Sequence, residues 1–165
     1  MDQETDQPKI IKVKSKTKTA VAIVAIAAII LAGVFIYDKT NLRSDGSVII
    51  AGQKINVQIA KTNQDQITGL SGHWVLNSNQ GMLFAFGSYT SPSFWMKDMN
   101  FPLDIIWIKD NMIAGLDKNL KPEGSKPTKT YQPNDFINYV LEVPAGFADK
   151  NSLKIGDKVQ IIAKN

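Results

Sequence analysis

The sequence contains no cysteine and a single histidine, His73, and both shortages narrow its chemistry. Without cysteine, disulfides, thiolate nucleophiles and cysteine-ligated metals are excluded. One histidine combined with carboxylates alone is an unfavourable ligand set for zinc, because zinc sites usually contain several His or Cys ligands. We therefore predict no metal and no cofactor. His73 is interpreted as an exposed loop residue, and a place on the rim of a binding groove is the alternative.

Several catalytic and binding motifs are also missing. No serine lies in a nucleophile-elbow pattern, and neither a glycine-rich phosphate loop nor a calcium loop is present. The net charge of +4 divides evenly, because residues 1–18 carry five lysines against three acidic residues and leave +2 on the remainder. The other lysines are scattered rather than clustered. We therefore predict no nucleic-acid partner, since such partners require a basic patch.

One long apolar run is present. Residues 19–37 carry no charge, and as a helix they would span roughly 28 Å, close to the bilayer core of about 30 Å. The lysines precede the run, and lysine-rich flanks stay in the cytoplasm. We predict a cytoplasmic basic tail (1–18) and a transmembrane anchor (19–37) in the cell membrane, single-pass, with the N-terminus inside and the remainder outside. A cleaved signal peptide is the alternative, although its apolar region is usually about 7–15 residues.

The predicted extracytoplasmic domain, residues 47–165, follows a linker at 38–46 and has the pattern of a β-rich domain. Ile55, Val57 and Ile59 alternate with polar residues, which indicates a half-buried strand. Further strands are predicted in "GMLFAF", in a hairpin with its turn at positions 110–111, in "NYVLEVPAG" and near the C-terminus.

A short helix should interrupt these strands. Thr62 is followed three residues later by Asp65, which resembles a capping box at a helix N-terminus. The predicted fold is therefore mainly β (a β-rich α+β domain): a small barrel-like sheet with one short helix, preceded by the single N-terminal transmembrane helix.

Charged residues within apolar strands are the candidates for a site. The stretch "FWMKDMNFPLDIIWIKDN", residues 94–111, has the character of a buried hairpin, yet it carries Lys97 and Asp104. Both faces of the strand around Asp104 are apolar, so its carboxyl should be buried and must be paired or hydrogen-bonded. Glu142 in "YVLEVPAG" poses the same problem.

Two interpretations of these charges remain open. In the structural one, Lys97 and Asp104 form an ion pair and Glu142 accepts backbone N–H groups at a turn. In the functional one, Trp95, Lys97, Asp104 and Glu142 line a ligand-binding groove. A variant of the second makes Asp104 and Glu142 a catalytic carboxylate pair that acts on a glycosidic bond.

The motifs "TGL", "GMLFAF", "FWMKDMNFPLDIIWI", "YVLEVPAG" and "GDKV" occur in this order. In this respect the chain resembles the family catalogued as domain of unknown function 192, over roughly residues 55–162. The resemblance implies a small, β-rich single domain that is often secreted or membrane-anchored. It implies no reaction.

These observations favour a membrane-anchored, extracytoplasmic binding module without enzymatic activity. Its expected partners are the membrane, through residues 19–37, and a cell-envelope component such as a glycan or an envelope protein. The alternative is an envelope hydrolase that uses Asp104 and Glu142.

Overall fold

The computed structural model describes residues 16–40 and 42–164, so most of the predicted basic tail lies outside the described residues. The chain divides into two compact units, residues 1–36 and 37–165. Helix α1 (Lys16–Thr40) lies mainly in the first unit, and its uncharged side chains from residue 20 to residue 36 are all exposed. Judged on the described residues, none of the helices is both long enough and apolar enough to cross a membrane.

The second unit is built on one seven-stranded sheet, which confirms the prediction of a mainly β fold. The strands are β1 (Gly46–Ile50), β2 (Gln53–Ala60), β3 (Gln80–Thr90), β4 (Leu103–Lys109), β5 (Met112–Leu120), β6 (Ile137–Pro144) and β7 (Val159–Ala163). Two short helices accompany them: α2 (Asn63–Thr68), which was predicted, and α3 (Phe147–Lys150), which the sequence did not predict.

The sheet curls until its two edge strands touch. The strand order is β5-β4-β6-β3-β2-β1-β7, and only the β2–β3 pair is parallel. At one end of the sheet the Ile113 N–H donates to the Asp157 carbonyl at 2.9 Å and the Val159 N–H donates to the Asn111 carbonyl at 2.8 Å. These bonds join β5 to the start of β7, so the sheet forms a half-closed barrel with fewer open edges.

Two tight turns define the hairpins. Ala51 and Gly52, between β1 and β2, have φ values of 47° and 74°, which suits the two-residue turns that favour antiparallel hairpins. Asp110 and Asn111 make the β4–β5 turn with φ values of 52° and 60°. The turn at positions 110–111 was predicted, because Asn and Asp tolerate the left-handed region better than most residues.

Apolar side chains fill both faces of the sheet. The inner core lies inside the curl and takes residues from all seven strands, including Val57, Leu83 and Ile106. The outer core lies on the opposite face of β3, β4 and β6 and includes Phe84 and Trp107. The chain between the strands covers the outer core with side chains such as those of Leu70, Leu76, Met96 and Met99.

The stretch at residues 94–111 forms a strand only in its second half. Phe94 makes an isolated bridge to Tyr131, and Asp98 has a positive φ of 53° that turns the chain away from extended geometry. The hairpin character of the stretch is therefore wrong for residues 94–101, whereas the predicted hairpin with its turn at positions 110–111 is confirmed. Residues 91–101 instead form an irregular segment that covers the outer core.

Candidate functional site

A pocket of about 280 Å³ opens on the outer-core side of the sheet, between α2 and the segment at residues 92–95. This volume is slightly below the usual range for ligand sites, which is roughly 300–1,000 Å³. Its wall is largely apolar and carries four aromatic side chains. The lining residues are Asn63, Gln66, Ile67, Thr68, Gly69, Leu70, Ser71, Phe84, Phe86, Pro92, Ser93, Phe94, Trp95, Met99 and Glu142.

Helix α2 forms one wall, and its position is fixed by side-chain hydrogen bonds. The predicted capping box is confirmed: the Asp65 N–H donates to the Thr62 hydroxyl at 3.1 Å, and the Thr62 N–H donates to the Asp65 carboxylate at 3.3 Å. The Gln66 amide nitrogen donates to the Ala60 carbonyl at 3.3 Å and to the Ala85 carbonyl at 3.1 Å. These bonds tie the helix to β2 and β3, so a helix too short to be stable alone is held in place.

The irregular segment at residues 91–101 forms the opposite wall and is hydrogen-bonded to loops on two sides. The Ser71 hydroxyl donates to the Lys97 carbonyl at 2.8 Å. Phe94 and Tyr131 exchange two backbone hydrogen bonds of 2.9 Å. The Asp98 N–H donates to the Gly124 carbonyl at 2.8 Å. The segment therefore has little freedom to collapse into the pocket.

Glu142 contributes a carboxyl group to the pocket. It lies on β6 between Met82 of β3 and Ile105 of β4, and only 5% of its surface is exposed. Its Oε2 atom has no hydrogen-bond partner within the described part of the chain. Burial raises the pKa of Glu142 to about 8, because an apolar environment disfavours the charged form. The carboxyl group is therefore mostly protonated at neutral pH.

Aromatic rings surround the pocket. The Phe94 ring packs edge-to-face between Phe84, at a centroid distance of 4.8 Å, and Trp107, at 5.5 Å. Trp95 lines the pocket and remains 40% exposed. Packed rings of this kind make a rigid wall, since each prefers the observed edge-to-face geometry.

Asp104 lies in a different environment. It is fully buried, and it shares its face of β4 with the inner-core residues Ile106 and Ile108. Its carboxylate accepts the Asn119 N–H and the Ala148 N–H, both at 2.8 Å. Two backbone N–H donors thus replace the hydrogen bonds to water that the carboxylate loses on burial.

The predicted Lys97–Asp104 ion pair is wrong. Lys97 is exposed and Asp104 is fully buried, and none of the ion pairs found in the described residues includes Lys97. The backbone already satisfies Asp104, so no cation is needed. Glu142 also departs from the structural interpretation, because it lies within β6 rather than at a turn.

The two carboxylates do not meet. In the β4–β6 ladder, Asp104 lies opposite Val143 and Glu142 lies opposite Ile105. Neighbouring positions on paired strands point to opposite faces, so one carboxyl group faces the inner side of the sheet and the other faces the outer pocket. Of the four predicted ligand-binding residues, the structure brings together Trp95 and Glu142, whereas Asp104 and Lys97 do not line the pocket.

The sequence did not single out several residues of the pocket. Gln66, Ile67 and Phe86 line it. The available signal was the apolar Ile67 within the otherwise polar stretch at residues 61–69, and the structure leaves its side chain 61% exposed. His73 is half-buried rather than exposed, its carbonyl accepts the Asn100 side-chain amide at 2.7 Å, and it is not among the residues that line the pocket.

Comparison with known proteins agrees with the resemblance noted in the sequence. A family model for domain of unknown function 192, described as "Uncharacterized ACR", matches residues 46–161. Among proteins with curated descriptions, none matches the chain significantly.

Two solved structures share the fold. A protein of unknown function from Novosphingobium aromaticivorans is 28% identical with a TM-score of 0.64, and the match covers 69% of this chain and 83% of that one. A protein from Sinorhizobium meliloti, described provisionally as a transcription regulator, is 24% identical with a TM-score of 0.65, over 73% of this chain and 97% of that one. The second likeness concerns the fold alone.

Proposed function

The chain belongs to the domain of unknown function 192 family, which is described as uncharacterized, and we propose that its folded domain is a non-enzymatic binding module whose ligand site is the pocket around Glu142. One observation carries this proposal. A carboxyl group that is 95% buried has an oxygen without a partner in the described residues, and it lines an open apolar pocket. Buried polar groups in native proteins are normally hydrogen-bonded, so a ligand is the natural source of the missing partner.

The size of the pocket limits what it can hold. A volume of about 280 Å³ suits a small chemical group, such as one ring or one side chain, and excludes a folded partner surface. We propose that the group belongs to a cell-envelope component, either a glycan or a segment of an envelope protein. Trp95 at the pocket favours this assignment, since an exposed aromatic residue can stack on a ring or pack on an apolar chain.

The proposed envelope location rests on the N-terminal unit. The side chains of residues 20–36 are uncharged and exposed along α1, and a large exposed apolar surface usually marks contact with a membrane or a partner. We propose that residues 19–37 anchor the protein in the cell membrane, with residues 1–18 inside and the β domain outside. The lysines before the run support this orientation.

A binding array tests the pocket. The labelled full chain, in a neutral detergent, is applied to immobilised envelope glycans and peptide fragments. The Ser93→Trp variant places a large side chain at the pocket wall and should abolish retention, because it fills the volume that the ligand needs. Ser88→Trp is the matched control, since Ser88 is exposed on β3 and does not line the pocket.

The expected result is at least one retained component that binds the parent and Ser88→Trp but not Ser93→Trp. If no component is retained, or if retention is equal in the two variants, the pocket is not the binding site and the proposal fails.

A further inference from the structure

We propose that the pocket recognises a primary ammonium group carried on an apolar stem, and that Glu142 is its counter-ion. This inference rests on the proposed function and names the chemical class of its ligand. Three features support it: the free acceptors of Gln66, Ser71 and Glu142, the aromatic wall, and the absence of a cation among the described residues that line the pocket.

Gln66, Ser71 and Glu142 line the pocket and have hydrogen-bond acceptors that no described residue uses. The Gln66 amide nitrogen already donates to the Ala60 and Ala85 carbonyls, which leaves its oxygen as an acceptor. The Ser71 hydroxyl donates a hydrogen bond to the Lys97 carbonyl, so its oxygen can still accept one. Glu142 Oε2 is a third acceptor when the group is ionised. An ammonium group has three donors and no acceptor, so it complements this set.

The aromatic wall also favours a cation. Four rings line the pocket: Phe84, Phe86, Phe94 and Trp95. The faces of aromatic rings carry partial negative charge, and aromatic pockets are a known means of binding ammonium groups. The apolar remainder of the wall, including Ile67 and Met99, would pack against the stem.

Within the described part of the chain, the residues that line the pocket include no positive charge that would pair with Glu142. It is the single titratable side chain among the lining residues, and its cross-strand neighbours Met82 and Ile105 are apolar. An anionic ligand would find no cation in this pocket. An ammonium ligand would displace the proton that Glu142 holds at neutral pH, so binding should release a proton.

Calorimetry with n-butylammonium chloride tests the inference on the full chain in a neutral detergent. The uncharged probe is 1-butanol, and titration into detergent alone gives the blank. We expect n-butylammonium to bind more tightly than 1-butanol and to release close to one proton per ligand at pH 7, measured from buffers of different ionisation enthalpy. Its apparent affinity should rise about tenfold from pH 6 to 7 and about fivefold from pH 7 to 8, because the ionised fraction of Glu142 rises with pH up to its pKa of about 8.

Three variants complete the test. Glu142→Gln keeps the shape of the side chain without its charge, and it should weaken n-butylammonium binding at least tenfold and abolish proton release. Glu123→Gln is the matched control and should change neither quantity, since Glu123 does not line the pocket. Trp95→Leu keeps an apolar side chain at a partly exposed position and should weaken n-butylammonium several-fold, which gives a second readout should Glu142→Gln fail to fold.

Competition experiments identify which kind of molecule carries the ammonium group. Displacement of n-butylammonium by Nα-acetyl-lysine amide would identify a lysine side chain, and displacement by phosphoethanolamine a lipid headgroup. The inference is overturned if 1-butanol binds as tightly as n-butylammonium, if Glu142→Gln retains full affinity, or if neither probe binds. In each of these cases the array with Ser93→Trp still decides separately whether the pocket binds a ligand.

Discussion

At the scale of single residues, Glu142 and Asp104 show how the local backbone decides the environment of a buried carboxyl group. Both lie in central strands, and both are at most 5% exposed. Asp104 receives two backbone N–H groups, from Asn119 and Ala148. Glu142 Oε2 receives no hydrogen bond from the described residues. The hydrogen bonds of Asp104 therefore stabilise the fold, whereas Glu142 Oε2 lacks a hydrogen-bond partner and faces the pocket.

Glu142 should make stability depend on pH. Burial raises its pKa from 4.5 to about 8 in the folded state, so between these values the folded protein binds more protons than the unfolded one. The free energy of unfolding must therefore fall as pH rises from about 4.5 to 8, by on the order of 5 kcal/mol. Thermal unfolding of the full chain at pH 5 and pH 9, followed by near-ultraviolet circular dichroism, measures this loss.

The Glu142→Gln variant isolates the effect of this residue. It has no proton to lose, so its melting temperature should exceed that of the parent at pH 9, and the difference should shrink toward pH 5. Glu123→Gln should follow the parent at every pH. A parent protein as stable at pH 9 as Glu142→Gln would mean that water or a hydrogen bond compensates the Glu142 carboxylate.

At the scale of elements, the strands were largely predictable and the pocket was not. Alternation predicted that Ile55, Val57 and Ile59 face one core, and all three are buried. The apolar residues on both faces of β4 likewise predicted that Asp104 is buried, and it is. These patterns are local, and the period of a strand reveals them. The pocket depends on where α2 and the irregular segment at residues 91–101 lie after the chain has folded. Contacts between residues that are distant in the sequence decide those positions.

The same limit explains the failed ion pair. Lys97 precedes Asp104 in the same apolar stretch, so the sequence suggested a pairing between them. The actual partners of Asp104, Asn119 and Ala148, are backbone groups, and any residue except proline supplies an N–H. No side-chain pattern could have identified them. Glu142 and Trp95 were recognised as candidates, because charge and aromatic character beside apolar strands are visible without the fold.

Asp104 joins three elements, because its carboxylate on β4 binds Asn119 in β5 and Ala148 in α3. Asp104→Asn can keep one of these bonds through its oxygen, but its amide NH₂ would oppose the other N–H. We expect the free energy of unfolding to fall by about 3 kcal/mol. This loss combines the cost of one buried N–H without an acceptor with the loss of a hydrogen bond to a charged group. Urea unfolding of the full chain measures it.

Asp98→Asn is the matched control for this substitution. Asp98 is exposed and has a positive φ of 53°, a conformation that Asn tolerates well. The change should stay within about 0.5 kcal/mol of the parent. Equal stability of Asp104→Asn and Asp98→Asn would show that the bonds of Asp104 to β5 and α3 contribute little to the fold.

At the scale of the whole molecule, the two units differ in the surface that they expose. The β domain has surface ion pairs such as Lys109–Asp135 at 2.6 Å and Lys118–Asp149 at 2.7 Å, and such exposed pairs contribute little stability. Helix α1 exposes an uninterrupted apolar surface over residues 20–36. A surface with many polar and charged groups is typical of a domain in water. A helix that is apolar on all sides is stabilised by an apolar environment such as a bilayer or a protein partner. This contrast is the physical basis of the proposed anchor.

The proposed orientation predicts which end of the chain a protease can reach. Five lysines precede the apolar run, and positively charged flanks are retained on the cytoplasmic side. Protease added to intact cells or spheroplasts should therefore digest an epitope fused after residue 165 and spare one fused ahead of Asp2. Permeabilised cells, in which both epitopes should be lost, provide the control. Protection of the C-terminal epitope with loss of the N-terminal one would reverse the orientation, place the Glu142 pocket inside the cell, and exclude an envelope ligand.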